Sequence, residues 1–129
     1  ADGTGTSATF YQPYGLVSDG SNLYISDKNN HKIRKIVISS GVVTTLAGSG
    51  DSGSTDATSG TSASFNKPTG ITSDGTNLYV TGSESHKIRK IVMSSGTVTT
   101  LAGSGNSGSN DGSGKSASFN NALTSSMAV

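Results

Sequence analysis

The sequence predicts an all-β protein built by repeating one four-stranded antiparallel unit. Three observations point there. The stretch Phe10-Tyr11-Gln12-Pro13-Tyr14-Gly15-Leu16-Val17-Ser18-Asp19-Gly20 returns as Phe65-Asn66-Lys67-Pro68-Thr69-Gly70-Ile71-Thr72-Ser73-Asp74-Gly75, and Phe119 opens a third, decayed copy, at periods of 55 and 54. Self-similarity at such a period means one supersecondary unit, stacked or set in a ring. Within each copy, short segments rich in Val, Ile, Thr and Tyr alternate with turn signals, the pattern of brief strands. Finally, Gly and Ser gather between the apolar segments instead of being spread evenly.

Taken in order, residues 1–9 read as a loop. The first strand is expected from Gly15 to Ser18, closed by Asp19-Gly20. The second runs from Asn22 to Ser26, with Leu23 and Ile25 on one face and Tyr24 on the other. The third, Lys32 to Ile38, ends at Ser39-Ser40-Gly41, and the fourth, Val42 to Leu46, ends at Gly48-Ser49-Gly50. Asp74-Gly75, Ser95-Gly96 and Gly103-Ser104-Gly105 punctuate the second copy at the same places. The third strand carries apolar residues on both faces, so either a bulge shifts its register or it is covered on both sides with Lys and Arg stems over apolar neighbours. The resulting organisation is a loop over 1–9, a first unit over 10–64, a second over 65–118 and a degenerate third start over 119–129. Four antiparallel strands with a Gly-rich crossover make a propeller blade.

The ends match each other. Asp2 to Phe10 reads like Asp111 to Phe119, so the chain is entered and left at one point of the cycle. Phe10 is followed by Pro13 and Gly15, whereas Phe119 is followed by Ala122 and Thr124 at those positions. Residues 1–9 are expected to be free, 102–118 to be anchored by the preceding strand, and 120–129 to be loosely held.

Composition narrows the classes. Ser, Thr and Gly approach half of the 129 residues, hydrophobic residues are 30% and charged residues 13%. The apolar content is low for a core, but the high net charge of disordered chains is missing. Zero cysteines exclude disulfides, thiolate metal sites and thiol nucleophiles. A net charge of +1 gives no bulk electrostatic case for nucleic acid or anionic membrane, and no apolar run reaches membrane-spanning length.

Phe10, Pro13, Gly15, Asp19-Gly20, Leu23-Tyr24-Ile25, Asp27 and Asn30-His31-Lys32-Ile33-Arg34 together resemble the NHL repeat, and the long form ending in Val43-Thr44-Thr45-Leu46-Ala47-Gly48-Ser49-Gly50 is similar to repeats of large bacterial secreted or surface proteins. The resemblance covers Asp2 to about Phe119. It implies a six-bladed β-propeller and, at two blades per chain, a homotrimer, with a four-chain, eight-bladed ring as the alternative. It also implies an extracellular or periplasmic place. The second repeat departs from the pattern, with Gly82 for Asp27 and Ser85 for Asn30.

Each sharper motif has a plainer reading. The run His31-Lys32-Ile33-Arg34-Lys35, repeated at His86 to Lys90, sits in a strand without interleaved aromatics, which favours structural residues over a nucleic-acid stripe. Asp51 to Asp56 and Asn106 to Asp111 lack the closing Glu of a calcium loop, so loops held by side chain to backbone bonds are expected. The two histidines are expected to pack and hydrogen-bond. Asp19 and Asp74 are taken up in Asp-Gly turns, and no nucleophile–base set can be assembled.

The expected function is a non-catalytic binding or scaffold module with no cofactor and no metal. Its partners are further copies of itself and a protein, peptide or glycan. Membrane and nucleic acid are not expected as partners, although an RNA-binding propeller and a channel-metal hydrolase fragment are the alternatives. Strands alternate direction, so the loop before the first strand and the loop between the second and third emerge on one face. That face is expected to carry Tyr11, Gln12, Tyr14, Lys28, Asn29, Asn30 and His31 from one unit and Asn66, Lys67, Thr69, Glu84 and His86 from the other, where the copies differ most.

Overall fold

The computed structural model describes residues 1–82, 85–109 and 111–116. The strands are β1 (Gly3–Thr4), β2 (Pro13–Ser18), β3 (Asn22–Asp27), β4 (Lys32–Val37), β5 (Val42–Ala47), β6 (Pro68–Ser73), β7 (Asn77–Gly82), β8 (Ile88–Val92) and β9 (Val98–Ala102). They form two antiparallel sheets, ordered β1-β5-β4-β3-β2 and β6-β7-β8-β9. Each of the eight expected strands is present, within two residues of its expected ends.

The first sheet has one strand more than expected. Residues 1–9 are not free: Gly3 and Thr4 pair with Val43 and Val42 along the outer edge of β5. A single bridge, Ala57 to Val98, repeats this contact on the second sheet. The loop that precedes each blade thus crosses that blade and closes its outer edge. The expectation of a loosely held 120–129 lies outside the described residues, as does the degenerate start at Phe119.

The ambiguous third strand has a bulge beside it. Ile33 pairs with Ala47 and Arg34 with Thr45, leaving Leu46 as the extra residue on β5. Ile88, Arg89, Ala102 and Thr100 repeat the pattern around Leu101 on β9. Neighbouring Ile33 and Arg34 are both buried, so the strand is also covered on both sides.

Turns follow from side chains. The Asp19 Oδ1 accepts the N–H groups of Ser21 and Asn22 at 2.9 and 2.7 Å, and Asp74 does the same for Thr76 and Asn77. A carboxylate two residues ahead thereby replaces backbone as the turn's acceptor.

The core lies between the blades. Tyr24, Ile33 and Ala47 of the first pack against Ala63, Phe65, Ile71, Leu78, Val80, Ile91 and Val98 of the second. At the inner edges β2 and β6 nearly touch, and a Cβ on Gly15 would lie 2.4 Å from the Thr69 carbonyl oxygen. The Ser26 hydroxyl joins the two strands, accepting the Gly15 N–H at 2.7 Å and donating to the Thr69 carbonyl at 2.6 Å. The substitution Ser26→Ala leaves both buried partners without that hydroxyl and should destabilise the chain by about 1–3 kcal/mol. Urea denaturation reads this directly, and an unchanged midpoint would contradict the link.

Candidate binding face

The loop face is organised by a buried guanidinium. Arg34 on β4 is almost wholly buried and reaches five oxygens or faces at once. Its Nη1 donates to Asp27 and to the Thr9 carbonyl, at 2.8 and 2.9 Å. Its Nη2 donates to Asp2 and to the Ala1 carbonyl, both at 3.0 Å. The guanidinium also lies 4.9 Å from the Phe10 ring. A charge this deep is tolerated only when it is paired and hydrogen-bonded. Its Nε alone finds no partner.

Asp27 passes this order on to the loops. Its Oδ1 accepts the Tyr11 N–H at 2.8 Å, and its Oδ2 accepts the Asn30 amide at 2.8 Å. The residues 28–30 form one 3-10 turn, ended by His31 in the left-handed region at φ 55°. The Asn29 N–H then donates to the Tyr11 carbonyl at 3.0 Å, and its amide donates to Gln12 Oε1 at 2.7 Å. Lys28 Nζ lies 5.6 Å from the Tyr14 ring. Tyr11, Gln12, Tyr14, Lys28 and Asn29 therefore do share one surface, with the two tyrosine side chains 57% and 47% exposed. A tyrosine on a fixed loop offers a large contact area at little entropic cost.

The remaining expected residues have other places. His31 Nδ1 accepts the Lys67 N–H at 3.1 Å, so this histidine clasps the second blade to the first, as the structural reading of the histidines anticipates. Thr69 is a correction. It is fully buried on β6, its carbonyl held by Ser26 and its hydroxyl directed at the Thr81 carbonyl, because an inner-edge residue is covered by the preceding blade. Asn66, Lys67 and His86 are half-buried, and Glu84 lies outside the described residues. Gly82 supplies no carboxylate to Arg89, which keeps the counterparts of the other Arg34 contacts: Asp56 (2.7 Å), the Ser64 and Thr55 carbonyls and the Phe65 ring. The basic runs are thus framework at Arg34 and Arg89. The 51–56 loop is held by Ser49 Oγ, Ser64 Oγ and backbone bonds.

A feature that residue-by-residue reading missed is an apolar groove of about 270 Å³ lined by Phe10, Pro13, Tyr14, Gly15, Leu16 and Ile25. The counterparts in the second blade, Phe65, Pro68, Thr69, Gly70, Ile71 and Val80, are all buried beneath the first. Leu16 is 59% exposed where Ile71 is 3%. The signal was present in the aligned copies, since both hold apolar residues there. On the far side, Leu101 is 50% exposed, and Tyr79, Ile88 and Ala102 are only half-buried where Tyr24, Ile33 and Ala47 are buried.

Contacts of this kind lower four of the carboxyl groups. The N–H bonds from Ser21 and Asn22 lower Asp19 to about 2, and those from Asn77 and Thr76 lower Asp74 to about 2. Burial pushes Asp2 up, but the Thr45 hydroxyl and Arg34 outweigh it and hold the group below its ordinary value. The same holds for Asp56 against Arg89 and Thr100.

Sheets of this order, with a crossover loop closing each outer edge and an inner edge packed against the next sheet, define blades of the β-propeller class. No protein-family model matches the chain. It is 35% identical over 104 residues to the human NHL repeat-containing protein 2, and 34% identical over 102 to the bovine one. These matches cover 78% and 76% of this chain but only 14% of each relative. A solved Bacteroides thetaiotaomicron protein of unknown function superposes with a TM-score of 0.73 at 28% identity, over 86% of this chain and 28% of its own. An auxiliary nutrient binding protein of the same organism gives 0.73 at 26%, covering 86% of this chain and 31% of that one. One from Bacteroides ovatus gives 0.68 at 25%, covering 84% and 30%. The chain belongs to the NHL-repeat family and carries two consecutive repeats.

Because Asp19 and Asp74 have folded values near 2 against an ordinary 3.8, their contribution to stability is complete above about pH 4. It is lost as the pH falls through about 2. Carboxyl NMR titration should place both midpoints near 2, and midpoints at the ordinary value would show that the turns are not held by these side chains.

Proposed function

We propose that the chain is a non-catalytic binding module whose blades close into a six-bladed ring of three copies, with a protein, peptide or glycan held on the loop face. The observation that carries this reading is the contrast between Leu16 and Ile71. The same face of the same unit is covered in one copy and open in the other, and burying one such side chain contributes about 1.5–3 kcal/mol. A further blade is the surface that fits, as the first blade shows on the second. Six blades at two per chain give three chains, joined head to tail around a closed axis.

The binding role is supported by the nutrient-binding proteins among the structural neighbours, and with them an extracellular or periplasmic place. Chemistry agrees. Asp19 and Asp74 are held in turns, and Asp2, Asp27 and Asp56 are held by arginines, so these carboxylates act as framework. Tyr11, Gln12, Lys28 and Asn29 offer an aromatic face beside hydrogen-bonding groups, which suits a sugar ring or peptide. Tyr14 stands nearer the seam, since its counterpart Thr69 is buried between blades.

Sedimentation equilibrium should give a mass near three times 12.9 kDa, and a single-chain mass at all concentrations would overturn the ring. In glycan and peptide arrays, the ring should retain a ligand that Tyr11→Ala and Lys28→Ala weaken about tenfold, or roughly 1.4 kcal/mol, without altering the mass. Unchanged retention would remove the loop face as the site.

A further inference from the structure

The internal junction shows what one crossover loop does. Gly60 sits in a slot where a Cβ would fall 2.3 Å from the Leu46 carbonyl oxygen and 2.5 Å from that of Gly96. Its own carbonyl accepts the Gly48 N–H of the blade before at 3.0 Å. Asp56, in the same loop, holds Arg89 of the blade after. One loop serves two blades.

At the two ends these halves occur separately. Gly5 donates its N–H to the Gly41 carbonyl at 2.8 Å, and Asp2 holds Arg34 at 3.0 Å, so residues 2–7 serve only the blade after them. The Gly114 carbonyl accepts the Gly103 N–H at 3.1 Å, so residues 111–116 serve the blade before them. The two segments are alike in shape as well as sequence. Both run Asp-Gly-x-Gly, with the second glycine left-handed at φ 55° and 51°, whereas the internal loop has one residue more between Asp56 and Gly60. When the far face of one copy meets the open face of the next, both segments fall on one slot.

We infer that residues 2–7 of the incoming copy take this slot, and that residues 111–116 are a placeholder they displace. The inference rests on the ring proposed above. Anchoring decides between the two occupants. Withdrawing residues 1–9 would strip the buried Arg34 of Asp2 and of the Ala1 and Thr9 carbonyls, leaving a buried charge short of partners. Asp111 is exposed, and the arginine its counterparts hold belongs, for this carboxylate, to the next copy. After the exchange the Gly5 carbonyl accepts the Gly103 N–H while keeping its bond from Ala8, as the Gly60 carbonyl serves both Gly48 and Ala63.

The test uses the full 129-residue chain, followed by sedimentation over a range of concentrations. The variant Gly114→Val puts a β-branched residue at a left-handed position, which loosens the placeholder but leaves the assembled seam untouched. The concentration for half-assembly should fall on the order of tenfold, the factor expected for the strain of one left-handed residue. Asp111→Ala should leave it unchanged. A midpoint that stays or rises with Gly114→Val overturns the inference, as does weakened assembly with Asp111→Ala, which would show Asp111 on the next copy's Arg34. In those cases the ring itself stands. A single-chain mass for every variant removes the ring and this inference together.

Discussion

A propeller blade has two apolar faces, and a pair of blades in one chain covers only one face of each. Most of what the structure shows follows from that constraint. The core is the single sheet-to-sheet interface, and its residues come from the far side of the first blade and the near side of the second. The close approach of Gly15 to Thr69, the hydroxyl bridge of Ser26 and the clasp from His31 to Lys67 all belong to the same interface. With so few hydrophobic residues, the chain depends on each apolar side chain finding cover, and among the described residues Leu16 and Leu101 stay at least half exposed.

Buried arginines supply what the sparse core lacks in specificity. Arg34 and Arg89 tie each crossover loop to the blade it closes, by ion pairs to Asp2 and Asp56 and by bonds to loop carbonyls. Such a group contributes little net stability when paired, but it is costly to strip of partners, so it fixes which loop path is allowed. The first blade adds Asp27, and with it a loop face set through Tyr11, Asn29 and Asn30. The second blade has Gly82 in place of that carboxylate.

Much of this was legible in the residues. Period-two segments between Asp-Gly and Ser-Gly breaks located the strands, because strand length and turn chemistry are local properties. The gathering of Tyr11, Gln12, Lys28 and Asn29 followed from strand direction alone. The burial of Thr69 did not, since it depends on which neighbour lies over an inner edge. Nor did the strand at Gly3–Thr4: two residues of loop composition carry no periodicity, and their pairing with Val42 and Val43 stands beside a long-range ion pair of Asp2 with Arg34. The third strand had two readings, a bulge and cover on both sides, and both hold, which only its pairing partners and its neighbours show.

The kinship of the two end segments also bears on how such chains change length. Asp2 to Phe10 and Asp111 to Phe119 are nearer to each other in sequence than either is to the loop at Asp56, which is one residue longer. Misaligned exchange between these two would insert or delete material in whole pairs of blades, with every arginine still facing its aspartate. Exchange at this junction would lengthen a single polypeptide by two blades at a time.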